Sequence, residues 1–217
     1  MKNLTFFLFS LVVLCFSEPF QAQVEETSWN SFRVRVPAEN GMSFDIKPTI
    51  RFRNTFYSEY DNASLDLVIR KKFSDHWTGA FLIRPWWMSE GKNRFFAWPI
   101  VVYNQNFGKL KFKTRFFYHH AFNLDFDDAD FLRVRPELSH ALSDKVSAAL
   151  AIEPFFLLND FNEISRVRYE FGMTYKFSPN LNLNINYWFE DQTGVWDERA
   201  DFNTILTTLT YILKPQP

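Results

Sequence analysis

Met42-Ser43-Phe44-Asp45-Ile46-Lys47-Pro48-Thr49-Ile50-Arg51-Phe52-Arg53 decides the fold. Met42, Phe44, Ile46, Pro48, Ile50 and Phe52 fall on one side of a strand, where side chains alternate with a period of two. Ser43, Asp45, Lys47, Thr49, Arg51 and Arg53 fall on the other. A helix would scatter these charges around its circumference; a strand collects them on one face.

The same alternation recurs along the chain. It predicts strands at 29–36, 42–57, 63–73, 77–87, 93–105, 109–121, 131–142, 146–158, 164–177, 181–190 and 201–213. Ser74-Asp75-His76, Asn106-Phe107-Gly108, Ser143-Asp144-Lys145 and Ser178-Pro179-Asn180 read as tight turns, and residues 58–62, 88–92, 122–130, 159–163 and 191–200 as longer polar loops. Short and long connections alternate, as in outer-membrane barrels with short periplasmic turns and long external loops. Counting strands back from the C-terminus predicts ten strands over 42–213, closing an even-numbered antiparallel transmembrane β-barrel. Segment 24–41 is left over: Trp29 to Val36 forms a short strand, lies in the lumen, or belongs to a twelve-stranded barrel.

Lys2, the apolar run Leu4 to Phe16, and the segment Ser17 to Gln23 read as the three regions of an export signal, cleaved near Gln23. Cys15, the only cysteine, belongs to this leader. Val12, Val13 and Leu14 are too large for the cut that precedes a lipid-modified cysteine. No later window approaches the roughly 20 apolar residues of a membrane helix, and the mean hydropathy is −0.24, so a helical inner-membrane protein is excluded. The net charge of −1 offers nothing to nucleic acid. With 27 Phe, 7 Trp and 8 Tyr, the chain carries more aromatic surface than a soluble core of its size needs, which a lipid-facing wall explains.

The faces follow from energy. Arg or Lys facing lipid at the bilayer midplane costs roughly 2–4 kcal/mol, so Asp45, Lys47, Arg51 and Arg53 turn inward together. Lys111, Lys113 and Arg115, then Arg133, Arg135 and Glu137, then Arg166, Arg168 and Glu170 do likewise. Pairing across the tight turns sets Asp66 against Arg84, Arg135 against Glu153 and Arg168 against Glu190, three expected ion pairs of a polar, charged lumen. Trp86, Phe117, Phe155, Leu157 and Trp188 also point inward and leave the lumen largely filled. Pro48, Pro85, Pro136 and Pro154 stand mid-strand on the outer face, where a missing N–H marks a bend or bulge.

The chain resembles a family of small exported proteins of Gram-negative bacteria known only as a domain of unknown function. The resemblance rests on Ala22-Gln23, the early Trp29, Arg51-x-Arg53, Arg133-x-Arg135-x-Glu137, Arg166-x-Arg168-Tyr169-x-Phe171-Gly172 and the final hairpin through Tyr187. It implies an outer-membrane β-barrel and carries no catalytic residues with it. The C-terminal run Tyr211 to Pro217 departs from the usual barrel ending on an aromatic residue.

His119 and His120, before a loop carrying Asp125, Asp127, Asp128 and Asp130, form the one candidate for chemistry. A His with an Asp can activate water at a barrel rim, and clustered carboxylates can hold calcium. The loop lacks the glycine and terminal glutamate of a calcium-binding hand, and an acidic loop tip is ordinarily just solvated. No catalytic, cofactor-binding or metal residue is therefore assigned. The expected protein is a monomeric, non-enzymatic outer-membrane barrel with a structural or restricted small-solute transport role. Its partners are membrane lipid and, during biogenesis, the barrel-assembly machinery. The alternatives are a rim hydrolase using His119 and the acidic loop 125–130, and an exported soluble barrel with inverted faces that carries an apolar ligand.

Overall fold

In the computed structural model the described residues are 24–53, 59–89, 91, 93–122, 130–158, 164–191 and 201–213. They form β1 (Val24–Pro37), β2 (Met42–Arg53), β3 (Glu59–Lys72), β4 (Trp77–Met88), β5 (Arg94–Phe107), β6 (Leu110–Phe122), β7 (Phe131–Ala141), β8 (Val146–Leu157), β9 (Ile164–Ser178), β10 (Leu181–Asp191) and β11 (Asp201–Ile212). Consecutive strands pair antiparallel, and β1 closes the barrel against β11.

The strand count corrects the expectation of ten. Segment 24–41 supplies a full 14-residue wall strand, β1, and a short 3-10 turn at Glu39–Gly41. β1 is antiparallel to β2, so it runs in the same direction as β11. Their pairing, from Val24↔Asp201 to Arg35↔Ile212, is therefore parallel. An up-and-down sheet with an odd number of strands can close only through one such seam. Inside it, the Thr27 and Thr204 hydroxyls bond at 2.7 Å, and Ser31 bonds Thr49 at 3.0 Å across the β1·β2 side.

Three tight turns share one device. Ser74 Oγ accepts from the N–H groups of His76 and Trp77, Ser143 Oγ from those of Lys145 and Val146, and Ser178 Oγ from those of Asn180 and Leu181. Each serine replaces the backbone partners that the reversing chain gives up. The β5–β6 turn instead uses Gly108 at φ +62°, a conformation that costs a side-chain-bearing residue about 1–2 kcal/mol.

The two faces separate as the charge argument requires. On β2, Asp45 and Thr49 are buried while Ile46 and Ile50 are exposed. The outer surface carries Leu67, Ile69, Val101, Leu138, Leu150, Ile152, Ile185 and Ile205, all exposed. Exposed aromatics flank them: Trp77, Phe107, Tyr175, Phe177 and Tyr211 near the tight-turn end, and Tyr60, Trp87, Phe95, Tyr118 and Tyr169 toward the loop end.

The mid-strand prolines coincide with gaps in the ladders. Beside Pro48, the β1·β2 pairing passes from Ser31↔Thr49 to Val34↔Ile46. Beside Pro85, β3·β4 passes from Ser64↔Trp86 to Leu67↔Ile83. Pro136 and Pro154 share one gap in β7·β8, between Arg133↔Phe155 and Glu137↔Ala151. Pro99, a fifth proline of this kind, interrupts β5·β6 between Ala97↔His120 and Ile100↔Phe117. A proline has no N–H for the neighbouring strand, so the wall opens locally there.

Candidate functional site: the barrel interior

Interior carboxylates are outnumbered by the cations around them. Asp45 binds Arg35 and Arg70, each at 2.8 Å, with Arg33 at 3.8 Å. Asp66 lies between Lys47 at 2.9 Å and Arg84 at 2.5 Å, and Asp61 between Arg51 at 2.9 Å and Arg53 at 2.6 Å. Glu137 takes Lys113 at 2.7 Å, Arg115 at 3.6 Å and Arg135. Glu153 is shared by Arg133 at 2.8 Å and Arg168 at 3.2 Å, and Glu190 by Arg166 at 3.1 Å and Arg168 at 2.5 Å.

Two of the three expected pairs form, Asp66–Arg84 and Arg168–Glu190. The third is corrected. Arg135 and Glu153 belong to one register position, but they stand in the β7·β8 gap, between Arg133↔Phe155 and Glu137↔Ala151. Arg135 turns to Glu170 at 2.5 Å and to Glu137, leaving Glu153 to Arg133 and Arg168. Diagonal neighbours are within reach of a long guanidinium, so register restricts the partners without choosing among them.

These groups surround a cavity of about 820 Å³ lined by eleven Lys and Arg against five Asp and Glu side chains. The chain as a whole carries a net charge of −1, so the positive excess is a property of the interior. The remaining lining is uneven. Val68, Leu82, Phe96, Trp98, Ile100, Val102 and Phe117 make a buried apolar wall along β3–β6. Phe131, Phe155 and Leu157 form a second apolar patch on β7 and β8. The expected inward aromatic and aliphatic residues Trp86, Phe117, Phe155 and Leu157 belong to or pack against these patches, and β5, beyond Arg94, extends the apolar lining through Phe96, Trp98, Ile100 and Val102.

Arginines and rings meet where these walls join. The Arg84 guanidinium lies 4.6 Å from the centre of the Trp98 ring, and Arg133 lies 5.4 Å from Trp98, 4.8 Å from Phe117 and 4.5 Å from Phe155. Such contacts attract a cation without neutralising it. Toward the loop end, Trp29 packs edge-on against Trp188 at 5.3 Å and Trp86 at 6.5 Å.

The two candidate histidines point in opposite directions. His119 faces the interior, its ring 4.6 Å from that of Trp98 and 5.8 Å from that of Phe131. His120 is on the outer face, where its Nδ1 is 2.5 Å from Asp130, whose other oxygen accepts from Tyr118 Oη at 2.9 Å. Period-two alternation thus separates His119 from the one loop carboxylate that is described. Asp125, Asp127 and Asp128 lie outside the described residues. Among the described residues, no three His, Cys, Asp or Glu side chains converge to hold a metal ion. Trp98, which the sequence reading did not single out, carried one signal, its position before mid-strand Pro99.

The described strands close into an up-and-down barrel, antiparallel except at the β1·β11 seam, around an interior cavity. A NanC porin solved in a rhombohedral crystal form shares the fold, with a TM-score of 0.53 and 16% identity over 83% of this chain and 94% of that one. Residues 26–197 match the family described as protein of unknown function (DUF2490), and the chain belongs to that family. No curated protein matches the chain.

Proposed function

We infer that this protein is an integral barrel of the Gram-negative outer membrane, working as a monomer that gives small solutes restricted passage. The observation that carries the reading is the division of the wall. Aliphatic side chains cover its outside between two aromatic zones, while the charged side chains surround an interior cavity. An outer face of this composition matches the lipid-exposed band and flanking girdles of outer-membrane barrels. In water it would be an apolar surface far larger than monomeric soluble proteins expose. The wall closes within one chain, which supports a monomer. The positive excess of the lining favours anions over cations.

The reading is non-enzymatic. The separation of His119 from Asp130 supports this over the rim hydrolase, and the outward apolar face supports it over a soluble ligand carrier. The test is to express the full chain with its leader and follow it through membrane fractionation, alkaline wash and unheated detergent electrophoresis. An outer-membrane barrel stays in the washed membrane pellet and migrates differently before and after heating. Release into the soluble periplasmic fraction refutes the reading.

A further inference from the structure

Trp98, His119 and Arg133 sit on three adjacent strands, β5, β6 and β7, and all three line the cavity. Trp98 and His119 face each other where Pro99 interrupts the β5·β6 ladder. Trp98 is 5% and Arg133 8% exposed, yet among the described residues Trp98 Nε1, His119 Nδ1 and Arg133 Nε have no hydrogen-bond partner. Buried polar atoms are ordinarily satisfied, because each unsatisfied one costs about 1–3 kcal/mol. Here two obligate donors, and a ring nitrogen that donates in one tautomer, belong to neighbouring side chains, the His119 ring 4.6 Å and the Arg133 guanidinium 5.4 Å from the Trp98 ring, that line a cavity with too few carboxylates.

What such a seat accepts follows from its walls. Two of its three free groups are donors in every state and the His119 nitrogen is one in its Nδ1–H tautomer, so the ligand must bring acceptor oxygens, and the surplus of guanidinium favours those oxygens being charged. Beside the donors runs the apolar wall of Phe96, Trp98, Ile100 and Phe117, which a fully hydrated inorganic anion could not use. Recognition sites for organic molecules combine an apolar lining with a few converging polar groups, in volumes of about 300–1,000 Å³, and this cavity, at about 820 Å³, has that construction.

We propose that Trp98, His119 and Arg133 form a binding seat for a small organic carboxylate, its acid group on these unpartnered nitrogens and its apolar body on the β3–β6 wall. The proposal deepens the solute-passage reading and rests on it for its physiological sense. The seat itself requires only a folded barrel.

The test is calorimetric titration of the mature, detergent-folded chain with benzoate, and in parallel with acetate, benzyl alcohol and inorganic phosphate. Benzoate binds saturably, with a Kd at or below about 1 mM, and each of the other three binds about tenfold more weakly or worse. Trp98→Phe keeps a ring but loses the N–H. Arg133→Gln loses the charge and leaves Glu153 its partner Arg168. Each weakens benzoate about tenfold while retaining the folded electrophoretic form, which guards against loss of fold as the cause. Absence of benzoate binding by a folded barrel overturns the proposal. So does equal affinity for acetate, phosphate or benzyl alcohol, or unchanged binding in both variants. A barrel that conducts ions but ignores benzoate refutes the seat and leaves solute passage standing; one that binds benzoate but never conducts supports the seat and refutes passage.

Discussion

Asp66→Asn should be among the most damaging single substitutions in the barrel. The Asp66 side chain is 4% exposed and touches two cations, Lys47 at 2.9 Å and Arg84 at 2.5 Å, themselves only 13% and 12% exposed. It also spans the β3·β4 gap beside Pro85, where the ladder passes from Ser64↔Trp86 to Leu67↔Ile83. Side-chain bonds there hold the strands together where backbone bonds are lost. An asparagine keeps the shape and an acceptor oxygen but leaves two interior cations without their anion. Removing one partner of a buried ion pair costs roughly 3–5 kcal/mol, and the retained amide places this case near 3, a hundredfold or so in the folding equilibrium. The assay is urea unfolding of the detergent-folded barrel, followed by the heat-modifiable gel shift. Asp75→Asn is the control. That carboxylate is 90% exposed in a turn, its pKa held below the ordinary carboxylate range by the hydrogen bond from Lys72, and its loss should not measurably move the midpoint. Asp66→Asn combined with Arg84→Met should recover part of the loss. An Asp66→Asn midpoint equal to that of Asp75→Asn refutes the reasoning.

Three further outcomes follow from the same structure. Leu150 is 57% exposed on the outer face of β8, so Leu150→Arg should cost about 2–4 kcal/mol in lipid vesicles while Leu150→Phe stays near neutral; equal folding of the two refutes the outward assignment. Gly108→Ala should cost about 1 kcal/mol and Gly108→Asn less, since Asn tolerates positive φ, and with no atom of the described residues within 4 Å of where a Cβ would stand the cost is conformational. In planar bilayers under a potassium chloride gradient, the reversal potential should show chloride as the more permeant ion, because eleven cations face five carboxylates in the cavity. That preference should fall as salt rises and screening shortens the reach of the charges.

Most of the wall was legible because outward and inward residues differ in chemistry at a period of two. β2, β7 and β9 each place an Arg on one face between apolar residues on the other, so one strand is enough to settle its own orientation. The serine turns were legible too, since a Ser immediately after an apolar strand end offers the reversing backbone an acceptor. β1 was misread for a different reason. Its parity conflicts with an even-numbered barrel, and local alternation does not disclose a parallel seam between the two ends of the described chain. β5 carries inward charge only at its first residue, Arg94; beyond it Phe95 and Phe96, then Val101 and Val102, put equal hydrophobicity on both faces. Trp98 was lost with it, and so was the β5 part of the apolar wall, although Phe117, Phe155 and Leu157 were read as inward-facing. The choice of Glu170 over Glu153 by Arg135 depends on side-chain reach across three strands, which no one-dimensional pattern encodes.

The proposed division between a lipid-facing wall and an interior is open to one direct measurement. Single-tryptophan variants retaining Trp77, Trp87 or Trp98, with phenylalanine at the other tryptophan positions, are folded into phosphatidylcholine vesicles whose acyl chains are brominated near the headgroup. Trp77 and Trp87 are each 44% exposed on the outer face and Trp98 is 5% exposed inside, so bromine should quench more than half of the Trp77 and Trp87 emission and leave Trp98 nearly unchanged. Quenching of Trp98 as strong as that of Trp77 and Trp87, or no quenching of either outer tryptophan, contradicts a barrel with its aliphatic wall in lipid and its charges within.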